Sequence, residues 1–183
     1  MKKIVALALM TLLSACEPAP ASYQPEPFAF ELGQSAPIAI NVAEIKVVEG
    51  YQSPLRKQDF PVPPATAVKK WVAARLKAVG TSGVLEVTIN DASAKEVPLP
   101  KTSGVKGLFT DDQDARYDAS LAVTFSLYTG ARGMSDASGD VRITRSHSIN
   151  EKATVVDHQK LYHRMTRDMM VSFDSEANAR LRQ

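Results

Sequence analysis

The stretch "ARYDASLAVTFSLYTG", residues 115–130, alternates from end to end. Tyr117, Ala119, Leu121, Val123, Phe125 and Leu127 fall on one side, with Asp118, Ser120, Thr124 and Ser126 on the other. A period of two held this long is a β-strand with one dry face and one wet face, because a helix would scatter the apolar set around its circumference. A strand of that length and regularity belongs in the middle of an antiparallel sheet. The rest of the chain must therefore supply strands on both sides and an apolar layer over the dry face.

The neighbouring segments supply both. Ile38, Ile40 and Val42 alternate, then the phase shifts to Ile45 and Val47, which predicts one strand with a bulge near Glu44. Beyond the turn "FPVPP", Val68, Trp71, Val72, Leu76 and Val79 recur at helical spacing. Lys69, Lys70, Arg75 and Lys77 lie largely on the other side, and Gly80 is the expected stop. Leu85, Val87 and Ile89 alternate with Glu86, Thr88 and Asn90 as a half-buried strand, and "DVRITRSHSIN" after the turn region 130–139 is a fourth.

Thr154 and Asp157 form a capping box with Asp in the usual Glu position, opening a helix whose stripe is Leu161, Met165, Met169 and Phe173, with Tyr162 beside it. Ala177 and Leu181 extend the stripe, and Asp174-Ser175 is a place where the helix is expected to break in two. The expected fold class is α+β: a two-layer sandwich in the order βαβββα, with an antiparallel four-stranded sheet and two helices on one face. It occupies residues 36–183 as a single domain, long enough for a core that needs no disulfide.

The only cysteine sits elsewhere, in "LLSAC" at residues 12–16. Lys2 and Lys3 lead into an apolar run from Ile4 to Leu13, interrupted only by Thr11, which is the layout of a secretory signal. The run is roughly half the ~20 residues a spanning helix needs. Leu13-Ser14-Ala15-Cys16 resembles the lipobox of bacterial lipoproteins at all four positions. The resemblance implies that residues 1–15 are a signal peptide removed before Cys16, and that Cys16 becomes a diacylglyceryl cysteine carrying fatty acyl groups such as palmitate. At about 0.8 kcal/mol per buried CH₂ one chain holds a protein only marginally, whereas two or three on one residue give a lasting anchor. Glu17 follows in place of the Asp of inner-membrane retention, so the implied location is the outer membrane, facing the periplasm, with the periplasmic face of the inner membrane as the alternative.

Pro18, Pro20, Pro25 and Pro27 forbid regular structure over residues 16–35, which are expected to form a tether reaching on the order of 50 Å if largely extended. Phe28 and Phe30 interrupt its polar character, and either dock on the domain or sit among lipid head groups.

Charge and motif content narrow the chemistry. Without Lys2 and Lys3 the 22 basic residues become 20, against 20 acidic ones, so the mature chain is near neutral and has no electrostatic footprint for nucleic acid. No nucleophile elbow, zincin pair or glycine-rich phosphate loop occurs. His158 and His163 are five apart, on different helical faces, and with His147 are expected at or near the surface. Asp111, Asp112 and Asp114 lack the glycine and distal glutamate of a calcium loop, and Arg116 stands close enough to neutralise them. Met165, Met169 and Met170 either line a lipid-accepting groove or form ordinary core. No catalytic set, metal or cofactor is expected. The segment from Pro100 to Asp114 is long for a hairpin connection and carries Val105, Leu108 and Phe109, which either fold back on the domain or meet a partner; they are the best partner-contact candidates.

In layout the chain resembles the ABC-type transport auxiliary lipoproteins, through Cys16, "IAINVAEIKVV", "AVKKWVAARLKAVG", "LEVTIND", "SLAVTFSLY" and the helix from Thr154. The resemblance implies a non-enzymatic, membrane-anchored envelope protein that binds a partner in a transport or assembly system. The alternative is a lipoprotein of cell-wall synthesis or envelope integrity. The partners expected are membrane lipid, through acylated Cys16, and an envelope protein.

Overall fold

The computed structural model describes residues 36–51, 62–100, 113–130 and 133–182. The central alternating segment is strand β5 (Gln113–Tyr128), flanked by β4 (Val84–Pro98) and β6 (Ala137–Asn150), both antiparallel to it. The fourth member is β2 (Glu44–Glu49), giving a sheet in the order β2-β4-β5-β6. The α+β sandwich is as expected, with departures in the pairing. β2 runs parallel to β4, from Glu44 opposite Val84 to Glu49 opposite Ile89. Between them the chain passes through helix α1 (Pro64–Arg75), and a crossover of that kind brings the next strand back in the same direction.

The phase shift near Glu44 is not a bulge. The chain forms β1 (Ile38–Ile40), bends over 41–43 and only then enters β2; β1 pairs in parallel with β3 (Leu76–Ala78) in a separate two-stranded sheet. The helix accordingly stops at Arg75, not at Gly80, and runs directly into β3. Leu76 stays buried there while Val79, expected on the apolar stripe, is 55% exposed. Gly80 serves a close approach: its amide donates to the Val42 carbonyl at 3.0 Å, and a Cβ there would lie 2.8 Å from the Val42 nitrogen. A real bulge occurs in β4, where the register jumps between Ile89 and Asp91 and the buried set moves from Leu85, Val87 and Ile89 to Ala92 and Ala94.

Helix α2 (Val155–Leu181) starts at the predicted capping box. Thr154 Oγ1 accepts from the Asp157 amide at 3.2 Å, and Asp157 Oδ2 accepts from the Thr154 amide at 2.9 Å. It continues through Asp174-Ser175 without the expected break. Both helices cover the odd-numbered side of β5. Trp71 from α1 meets Phe173 from α2 edge-on at 5.0 Å between ring centroids, and Phe125 of the sheet lies 6.2–6.3 Å from both. Each of these rings contributes roughly 1.5–3 kcal/mol on burial. Met165, Met169 and Met170 are at most 1% exposed, so they are core.

Candidate functional site

At the end of the sandwich where α2 stops, the two layers part. Phe125 and Leu127 sit opposite Gly139 and Ala137 in the β5–β6 register, so two large side chains face two small ones and the volume beside them stays unfilled. The result is a pocket of about 320 Å³, floored by Leu85, Phe125 and Leu127 and closed on one side by Ile40 of β1. Ala137, Ser138 and Gly139 form the far wall, and Arg180 and Leu181 of the last turn of α2 form the rim. Its lining is mainly apolar with one cation at the mouth. Arg180 makes no ion pair among the described residues, whereas the neighbouring Arg182 Nε donates to Asn178 Oδ1 at 2.7 Å.

Six residues before that rim, α2 presents Asp174 to α1. Its Oδ1 accepts from Trp71 Nε1 at 2.7 Å and from Arg75 Nε at 2.8 Å. Arg75, only 3% exposed, uses a second nitrogen, Nη1, to hold the carbonyl of Ala36. The clamp joins both helices and fixes the place where the N-terminal segment meets the domain. The helical pattern set Arg75 among the exposed lysines; its burial depends on a partner 99 positions away.

The opposite end of the sandwich holds an aromatic cluster. Tyr117 packs edge-on against Tyr162 at 5.0 Å and against His158 at 6.0 Å, with its hydroxyl oxygen 3.2 Å from His158 Nδ1. Burial, reinforced by hydrogen bonding with Tyr162, pushes the Tyr117 hydroxyl far above the ordinary tyrosine range, so it remains a neutral phenol. On the even-numbered side of the sheet the polar groups satisfy one another. Arg116 grips both Asp118 oxygens at 2.9 Å, Ser146 donates to Asp118 at 2.6 Å, and Asn90, Thr124 and Asp140 form a chain of bonds at 2.7 and 2.6 Å. The Arg116 contact, then Ser146, holds the Asp118 carboxyl below the usual range. These are internal pairs on a solvated face.

Cys16, Val105, Leu108 and Phe109 lie outside the described residues, as do Asp111 and Asp112. Among the described residues no group of three or more His, Cys, Asp or Glu side chains is placed to hold a metal, and no helix is long and apolar enough to cross a membrane. The pocket went unpredicted. Its only trace in the sequence is the small residues Ala137 and Gly139, which become informative once the register with Leu127 and Phe125 is known.

No protein-family model matches the chain, and no curated protein does. Solved structures with a related outline include rare lipoprotein B from Shewanella oneidensis, 14% identical, covering 76% of this chain and 99% of its own, at a TM-score of 0.36. Another is an uncharacterized lipoprotein B from Nitrosomonas europaea, 12% identical, covering 74% and 81%, at a TM-score of 0.39. At those scores the likenesses carry no argument about function.

Proposed function

We propose that this chain is a non-enzymatic lipoprotein of the bacterial envelope, anchored in the outer membrane through acylated Cys16 and facing the periplasm. Its folded domain binds a protein of an envelope transport or assembly system. The observation that carries the reading is Leu13-Ser14-Ala15-Cys16, placed after two lysines and a ten-residue, largely apolar run, with the only thiol of the chain at its end. A cysteine spent there, ahead of four prolines in ten residues, serves attachment better than packing or redox chemistry. The test is Cys16→Ala in the full chain. The variant is expected to lose palmitate labelling and to leave the lipid-anchored membrane fraction while keeping the near-ultraviolet signal of its buried Trp71. A variant that still takes up palmitate and still partitions as the parent does would overturn the anchor.

A further inference from the structure

The pocket beside Arg180 has a candidate occupant in the same chain. We propose that Phe28-Ala29-Phe30 docks in this pocket, with Phe30 entering against Phe125 and Leu127 and Glu31 facing Arg180. Reach is the first argument. Arg75 fixes Ala36, and the chain then runs through β1 to Ile40, which lines the pocket. Ala36 thus lies about 13 Å of strand from the site, at ~3.3 Å per residue. Residues 31–35 span up to ~17 Å when extended, enough to carry Phe30 back alongside β1.

Fit is the second argument. About 320 Å³ is the small end of the range for ligand pockets (~300–1,000 Å³), a size suited to an aromatic side chain more than to a lipid with several acyl chains. Charge is the third: Glu26 and Glu31 flank the two phenylalanines, and Arg180 at the rim has no ion pair among the described residues. Concentration decides between this occupant and a free one. A short covalent connection presents the segment at an effective concentration in the millimolar range, so an external ligand of similar affinity would need to exceed that to displace it.

Docking would leave eleven of the nineteen residues from Glu17 to Ser35 free, shortening the distance the domain can stand from its attachment point; a partner inserting an apolar side chain would release the rest. That consequence rests on the lipid-anchor reading, whereas the docking itself does not.

Replacing Phe30 in the full chain with p-benzoylphenylalanine and irradiating cells that produce it tests the contact. Expected is an intrachain adduct that mass spectrometry maps to Phe125–Leu127, Ala137–Gly139 or Arg180–Leu181. The reciprocal probe at Leu181, which does not depend on Phe30 being replaced, should label residues 26–31. Arg180→Glu should lower either yield by about two- to fivefold, the range for an exposed ion pair, and adding Glu31→Arg should restore it. Adducts found only elsewhere on the domain, on lipid, on a second copy or on another protein would refute the docking, as would no adduct from either probe or a yield indifferent to Arg180→Glu. Failure of the anchor reading would show instead in the Cys16→Ala fractionation and leave the adduct unchanged.

Discussion

One oxygen, Asp174 Oδ1, accepts from both Trp71 and Arg75, and among the described residues it is the only charged partner of a guanidinium that is 3% exposed. Removing one member of a buried pair costs more than the pair itself contributes, because the remaining charge stays desolvated. Asp174→Ala is therefore expected to destabilise the domain by about 3 kcal/mol. That is the lower end of the usual span of ~3–5 kcal/mol, since the Asp174 side chain keeps 24% of its surface and water can reach it. Asp174→Asn keeps a carbonyl oxygen for both donors and should cost less. Urea midpoints at unchanged slope would measure both, and a loss under about 0.5 kcal/mol for the alanine variant would reduce the clamp to a surface contact. The apolar stripe of α2 is readable from spacing, and so is that of α1 through Val68, Trp71 and Val72, but not through Leu76 and Val79, which lie beyond its end. This polar pair is not readable from spacing. Periodicity placed Arg75 with Lys69 and Lys70, and took Asp174-Ser175 for a break, because a buried cation looks like an exposed one until its distant partner is known.

Exposed carboxylates held by local hydrogen bonds add an acid-sensitive contribution to the fold. Asp157 at the start of α2 is held below the ordinary carboxylate range by the Thr154 hydroxyl and then its amide, and Asp136 in the turn before β6 by the Thr129 amide and then its hydroxyl. Asp118 joins them through Arg116 and Ser146. In the unfolded chain such groups titrate near ~3.9, so below that value the unfolded state binds more protons than the folded one. Their contribution is complete above the unfolded value and is lost as pH falls through the lowered folded values. The melting temperature should be level from neutral pH to about 5 and drop below about 4, with a shallower acid limb in Asp157→Asn. An equally steep limb in that variant would remove Asp157 from the account. The capping box was visible in the sequence because its two residues are three apart. The parallel pairing of β2 was not, since alternation marks a strand without naming its neighbour. The bend at 41–43 and a bulge leave the same phase shift, and only β1's pairing with β3 tells them apart.

At the scale of the whole molecule, two helices close one face of the sheet, and the other face is paired within itself through Arg116, Asp118, Thr124 and Asp140. Ala36 is held in the clamp, and the chain then passes the pocket at Ile40. The proposed attachment residue rests on four contiguous positions of the sequence, while the pocket exists only through long-range register; a local motif shows in a sequence, and shape does not. The partner is the next quantity to measure. Purifying the lipidated chain from crosslinked envelopes, against Cys16→Ala as the unanchored control, is expected to enrich a component of an envelope transporter, because an anchored domain samples only what lies within reach of the membrane. Excising residues 19–34 keeps the lipobox and should keep palmitate labelling, but draws the domain inward. Cell-wall synthases enriched in place of a transporter component, with that enrichment lost on excision, would overturn the transport reading. The domain would then be one whose reach across the periplasm matters more than its pocket, as in the envelope-integrity alternative.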